Sequence, residues 1–331
     1  MTSQSNLFRE ILRIVARGPT LSRSLEEAEA EEAFGLILGG AASPMQVGAF
    51  LLVLRQRGET ADELTGMARA ARARLTTANL PAADLDWPSY ADSHRQLPYF
   101  LLAARLVAAA GVRILLHGGP GAGERSTRHG LAALGIPVAG SAAEAALHLD
   151  RDFLAYLPLE SLCPPLAELF VLKPVLGVRT AVNSVARDLN PASAAAQLQG
   201  VFHPPYIPLH VAMQQALGQE RALTFKGGGG EAQRNPDKPC RSMALRHGTA
   251  CELVWPQLAS SGWAWRDDAP DTARLAALWR GEWAHPAPVA AVTGTAAMAL
   301  WLTGRAPSPP AADRLAAELW LARRRALPLA A

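Results

Sequence analysis

Residues 226 to 248 hold the densest group of side chains able to do chemistry. Lys226, Arg234, Lys238, Arg241 and Arg246 stand there against Glu231 and Asp237. Their local excess equals the formal net charge of the whole chain, +3, so the remainder is neutral. Gly227, Gly228, Gly229 and Gly230 follow the first lysine. Glycines let a backbone approach a phosphate and expose its N–H groups, and cations displace counterions from nucleic acid. The chain has three lysines, Lys173, Lys226 and Lys238, among 32 basic residues. The plain alternative for such a cluster is a solvated basic loop.

A second group follows an apolar run: His117, Gly118, Gly119, Gly121 and Gly123, then Arg125 and Arg128. It is a weak phosphate-loop candidate, since no complete dinucleotide fingerprint is present. His117 suits a cleft or a hydrogen-bonded core equally. His203 and His210 flank prolines with no metal-ligand spacing, so a structural role is expected. Trp255, Trp263, Trp265, Trp279 and Trp283 cluster late and are expected in packing rather than base stacking. The three cysteines, Cys163, Cys240 and Cys251, are odd in number and far apart, against a disulfide framework or a zinc site. No catalytic serine or cysteine arrangement can be inferred from spacing.

The elements that must position these groups are legible in part. Of 331 residues, 50% are hydrophobic and 18% charged, an ordinary globular balance that can bury a core. The beginning lacks the pattern of a secretory signal, and no apolar stretch reaches membrane-spanning length, so no membrane partner and a cytoplasmic location are expected. Apolar positions 7, 8, 11, 12, 14 and 15 suit an amphipathic helix. A second helix is expected over 24–38, stopped by Gly39-Gly40. Ser43-Pro44-Met45-Gln46 and Thr60-Ala61-Asp62-Glu63 are capping boxes opening two more, over 43–57 and 60–75. Residues 76–87 read as a linker. Beyond them, expected strands at 112–116, 153–157 and 222–225 alternate with helices at 101–110 and 127–134. That pattern implies a parallel sheet, whose strand ends are the usual binding place. His117-Gly118-Gly119 and Lys226-Gly227 both fall at such ends.

Several motifs resemble a known family. Gly48-Ala49-Phe50-Leu51, Leu54-Arg55 and Gly58-Glu59-Thr60 look like the N-terminal domain of anthranilate phosphoribosyltransferases and pyrimidine nucleoside phosphorylases. His117-Gly118 is similar to their Lys-His-Gly-Asn loop. The run Lys173-Pro174-Val175-Leu176-Gly177-Val178-Arg179-Thr180, then Asn183 and Asn190-Pro191, resembles their Arg-Pro-x-Leu-Gly-x-Arg-Thr…Asn…Asn-Pro segment. The resemblance runs from about residue 5 to residue 325. It implies an α/β protein with a small all-helical N-terminal domain, 1–75, and a large α/β domain, 76–331. Part of 165–190 is expected against the helices, with a cleft between the domains and a homodimer formed through the small one.

The departures are as informative. The family's Gly-Thr-Gly-Gly-Asp diphosphate loop aligns with residues 85–92, which contain no glycine but do contain Trp87, Pro88 and Tyr90. Leu116 replaces the lysine before His-Gly, and Gly119 replaces the asparagine after it. Where the family's Asp-Glu pair for magnesium belongs, Glu231-Ala232 stands. Ala186-Arg187 replaces the usual Gly-Pro. The loop from Lys226 to Pro236 resembles that of the YbiB-type paralogues, which share the fold and bind nucleic acid.

The sequence therefore favours a phosphoribosyltransferase-like homodimer binding single-stranded DNA or RNA without sequence preference. Lys173, Arg179, Lys226, Arg234, Lys238, Arg241 and Arg246 would supply charge, and Gly227, Gly228, Gly229 and Gly230 flexibility and N–H groups. No metal or other cofactor is expected for that activity. The alternative is a phosphoribosyl or other glycosyl transferase with an altered donor site. His117, Gly118, Gly119, Lys173, Arg179 and Asn183 would then surround donor and acceptor, with Glu231 as the remaining family-like ligand for Mg.

Overall fold

A computed structural model describes residues 3–18, 20–91, 96–121, 123, 125–259 and 271–326. Four helices open the chain: α1 (Ser3–Ala16), α2 (Glu27–Leu38), α3 (Pro44–Arg57) and α4 (Ala61–Arg72). Both capping boxes form. The Ser43 hydroxyl accepts the Gln46 N–H, and Gln46 Oε1 accepts the Ser43 N–H in return. Thr60 and Glu63 do the same at α4. Glu63 is fully buried, also accepts the Leu25 N–H and pairs with Arg57. Gly66 lets α2 and α4 touch, since a Cβ there would lie 2.1 Å from the Glu27 carbonyl oxygen.

Among the described residues, seven strands make one sheet in the order β3-β2-β1-β4-β5-β6-β7. They are β1 (Leu85–Ser89), β2 (Ile114–Gly118), β3 (Leu154–Pro158), β4 (Ala196–Val201), β5 (Arg221–Lys226), β6 (Cys240–Arg246) and β7 (Thr249–Trp255). The first five are parallel, and β6 and β7 add antiparallel at one edge. Alternate residues of the central strands feed different cores. Leu85, Trp87, Ile114, Leu116 and Tyr156 pack with the helices Phe100–Ala109, Pro286–Leu302 and Pro309–Ala326. Leu115, Ala155 and Leu157 join Phe8, Phe34, Phe50 and Met67 of the helical domain. Both faces are covered, so these strands read as apolar runs without alternation.

The expected linker at 76–87 is corrected, because its end is the central strand β1. Asp86 and Pro88 hide it from a sequence reading. Pro88 is tolerated because β1 pairs with β4 only at Leu85 and Asp86, leaving Pro88 where that ladder has ended. Residues 159–185 form short helices whose Leu159, Leu162, Leu166, Val182 and Val185 lie in the core of the helical domain. Arg72 of α4 clamps the end of this segment, donating Nε at 3.0 Å and Nη2 at 2.7 Å to the Asp188 carbonyl. Trp255 and Trp279 are buried in packing, while Trp263 and Trp265 lie outside the described residues. Among the described residues, no helix is long and apolar enough to cross a membrane.

Candidate active site

The chain order of the sheet reverses between β1 and β4. In an open parallel sheet, the carboxyl ends of strands flanking such a point leave a crevice. Here it is bounded by Ser89-Tyr90-Ala91 after β1, His117-Gly118-Gly119 at β2, Phe202-His203 after β4 and Lys226-Gly227 at β5. The segment from Lys173 to Arg187 and the end of α3 close the other side. A larger cavity, about 510 Å³, lies at the opposite strand ends near Arg105, Ile136 and Phe153 and holds none of the motif residues.

One half of the crevice is a pocket of about 330 Å³ whose wall includes Ser89, Tyr90, Gly119, Arg128, Phe170 and Lys173. Tyr90 dominates it. Its hydroxyl lies 2.7 Å from His117 Nδ1, and its ring stands edge-on to His117 and 5.5 Å from Phe170. His117 Nε2 lies 3.0 Å from Asp86 Oδ1, and both side chains are fully buried. Burial, then the nearby Tyr156 and Asp86, pushes the Tyr90 phenol well above its ordinary range, so it stays a neutral donor. An aromatic ring thus fills space that a glycine-rich loop would leave open. Gly118 is required by close approach, because a Cβ would meet the Ser89 carbonyl at 2.5 Å.

The other half is a pocket of about 100 Å³ bearing Arg55, Arg179, Asn183, Arg187, Tyr206 and His210. Arg55 donates to the Tyr206 hydroxyl at 2.7 Å. Arg187 donates to the Asn183 carbonyl at 2.5 Å. Burial lowers the pKa of Arg179 and Arg187, while the field of Glu231 opposes the shift in both. Two guanidiniums on one pocket wall suit an anionic ligand. Sequence reasoning passed over Arg55, Arg187, Tyr206 and His210 as site residues. One signal was available: Tyr206 and His210 stand four residues apart, which places them on one side of the helix Tyr206–Ala216.

The expected basic loop is not one surface. Arg234 is fully buried, its guanidinium 5.3 Å from the Trp255 ring and 3.5 Å from Asp313. Lys226 and Lys238 are exposed, but β6 carries Arg241 and Arg246 to opposite ends, roughly 17 Å apart at the rise of a strand. Nor are the glycines a free cradle. The N–H groups of Gly227, Gly228 and Gly230 donate to the carbonyls of Val201, Gln233 and Gly227. Gly229 adopts the left-handed φ of 67° inside the same turn. Lys173 and Arg179 do reach the crevice, one on each pocket. Gly119 and Asn183 also line it, and Gly118 ends β2 beneath it.

Glu231 is only 2% exposed, and its Oε1 accepts the Ala91 N–H at 2.9 Å. Among the described residues, no group of three or more His, Cys, Asp or Glu side chains could hold a metal ion. Magnesium beside a diphosphate is ordinarily held by one or two carboxylates together with the phosphate oxygens, and one Glu231 oxygen is already engaged by the Ala91 N–H.

Comparison with known proteins agrees with the fold and decides between the two functional expectations. Residues 9–75 match the helical bundle domain of a glycosyl transferase family, and residues 100–241 match its α/β domain. The anthranilate phosphoribosyltransferase of Novosphingobium aromaticivorans is 31% identical over 300 residues, covering 87% of this chain and 89% of that protein. The enzyme of the same description from Methylocella silvestris is 35% identical over 228 residues, spanning 68% of this chain and 65% of its own length, just under two thirds. The crystal structure of anthranilate phosphoribosyltransferase from Thermus thermophilus superposes with a TM-score of 0.80 at 25% identity, over 97% of this chain and 98% of that one. The Saccharomyces cerevisiae enzyme, described in complex with PRPP and Mg, shares the fold at a TM-score of 0.77 and 15% identity, over 98% and 96%. These relatives overturn the expectation of a nucleic-acid binder and do not indicate the YbiB-type branch. The buried Arg234 and the scattered loop cations give the physical reason.

Proposed function

The chain belongs to the anthranilate phosphoribosyltransferase family, and from that premise we propose that it transfers a pentosyl or other glycosyl group from a phosphorylated donor to an anionic acceptor. The observation that carries this reading is the convergence of Arg55, Arg179 and Arg187 on one pocket, beside a second pocket bearing Lys173 and Arg128. The first set of cations suits the acceptor's carboxylate. The second suits the charge that builds on a phosphate leaving group as the bond from the anomeric carbon breaks. Arg128 also pairs with Glu160, which fixes its position. Tyr90 displaces the donor outward from the place of the family's glycine loop, which is the altered feature of this site. Lys173 and Arg128 bring positive charge to the phosphate side, and Glu231 holds the Ala91 backbone.

Arg179 provides the test. Replacing it with alanine is expected to weaken binding of anthranilate, a probe aromatic carboxylate, by about 10- to 100-fold, the loss of a charge-assisted hydrogen bond. Isothermal titration of the wild type and R179A measures this, with circular dichroism as the folding control. Equal affinities would remove Arg179 from the acceptor site.

A homodimer through the helical domain belongs to the same proposal. Leu7 on α1 and Met45 and Leu52 on α3 are exposed apolar side chains, and Met45 and Leu52, seven residues apart, share a face. Light scattering should give twice the 35.1 kDa chain mass, and a Met45→Glu, Leu52→Glu variant should give the monomer mass.

A further inference from the structure

We propose that His210 is a general base facing the acceptor pocket, oriented by Asp188. The inference rests on the transferase reading above and narrows the acceptor it admits. His210 sits on the helix Tyr206–Ala216 and is 2% exposed. Its Nδ1 lies 2.8 Å from Asp188 Oδ2, and Asp188 is fully buried. The carboxylate is itself fixed. Gln199 donates to the same oxygen at 2.9 Å, and Arg72 grips the Asp188 carbonyl with two hydrogen bonds. A carboxylate that accepts the Nδ1 proton leaves the imidazole lone pair at Nε2.

That second nitrogen is the informative atom. No described residue hydrogen-bonds to His210 Nε2, yet it is not sealed in the protein, and His210 forms part of the pocket wall. His117 shows the opposite arrangement. Its Nδ1 is taken by Tyr90 and its Nε2 is buried against Asp86, so it has no nitrogen to offer a ligand. A buried histidine kept only for packing would be satisfied at both nitrogens or sealed at the second. His210 instead presents an oriented lone pair beside Arg179 and Arg187.

In the step this permits, the acceptor's nucleophilic atom forms a bond to the anomeric carbon. The bond from that carbon to the phosphate oxygen breaks, and its electron pair leaves with the phosphate. The proton on the nucleophile passes to His210 Nε2, and the imidazolium formed is stabilised by Asp188. A primary arylamine attacks through a free lone pair and needs no such base. The acceptor class assigned is therefore an anionic ring compound whose nucleophile must shed a proton as it attacks, an azole or imide N–H or an acidic hydroxyl.

Two measurements test this separately from the transferase reading. With phosphoribosyl pyrophosphate and an imidazole or pyrimidine carboxylate as acceptor, His210→Gln should lower kcat on the order of 100-fold while the acceptor KM changes less than about threefold. Added imidazole should restore part of the activity of His210→Ala. Asp188→Asn should lower kcat with the same unchanged KM. A His210→Gln enzyme with full kcat overturns the proposal, and so does a loss in His210→Ala that imidazole leaves untouched. The second measurement needs no turnover. Diethyl pyrocarbonate followed by peptide mapping should modify His210 after the exposed His203 and His247, and benzoate should protect it. If His210 stays unmodified when those two are fully modified, Nε2 is closed and the proposal fails even if the wild type is an active transferase. If His210 is modified and protected but no acceptor is turned over, the base-bearing pocket stands and the transferase reading fails.

Discussion

Gly227→Ala is expected to cost about 3 kcal/mol or more of folding stability, the upper range for forcing an atom into a packed interior. The position is not demanding in its dihedrals, since φ is −92°. It is demanding in space. A Cβ there would sit 1.6 Å from the Glu231 carbonyl oxygen, and one at Gly200 would sit 2.2 Å from the same atom. These two glycines let the turn after β5 lie flat on the end of β4. The turn then delivers Glu231 to the Ala91 N–H, and Gln233 Oε1 to the Phe100 N–H at 2.8 Å. No flexible side-chain tip can yield to the methyl group, because the obstacle is backbone. Urea unfolding of G227A should show a midpoint displaced far below that of Lys226→Ala, whose exposed side chain is expected to change stability by less than about 0.5 kcal/mol. Similar midpoints would mean that the turn does not pack as described.

Tyr90→Ala should have two effects of opposite sign. Removing the ring from contact with His117 and Phe170 is expected to cost about 3 kcal/mol, as aromatic truncations in cores do. The same deletion opens the floor of the 330 Å³ pocket toward His117 and the end of β1. Binding of inorganic pyrophosphate should therefore tighten by about tenfold or more. Tyr90→Phe separates the two effects. It keeps the ring, leaves His117 Nδ1 without its 2.7 Å partner and should cost about 1–3 kcal/mol with no gain in pyrophosphate affinity. Pyrophosphate affinity unchanged by Tyr90→Ala would mean that the ring is not what reshapes the donor side.

What the sequence showed and what it hid follow from the range of the interactions. The helices of the first domain were legible because Ser43 with Gln46, and Thr60 with Glu63, are local signals, each complete within four residues. Strands β2, β3 and β5 were legible as apolar runs. β1 was not, because its tolerance of Pro88 depends on where a ladder with a strand over 100 residues later ends. The basic loop misled for a related reason. Counting charges cannot distinguish Lys226 in solvent from Arg234 under Trp255 and beside Asp313, since the partners lie 21 and 79 residues further along. Lys173, Arg179 and Asn183 could be placed at the cleft from motif resemblance. The role of His210 was not legible beyond its four-residue spacing from Tyr206, because it comes from Asp188, 22 residues earlier, brought beside it by the fold.

Acceptor-dependent release of diphosphate tests the central claim most directly. The protein is mixed with phosphoribosyl pyrophosphate and, in turn, anthranilate and ring N–H carboxylates, and diphosphate is measured against reactions lacking acceptor. The account predicts release that depends on at least one acceptor, saturates with it and falls sharply in R179A. No release above the acceptor-free rate with any of them, from wild-type protein that is folded and binds the carboxylate, would contradict it.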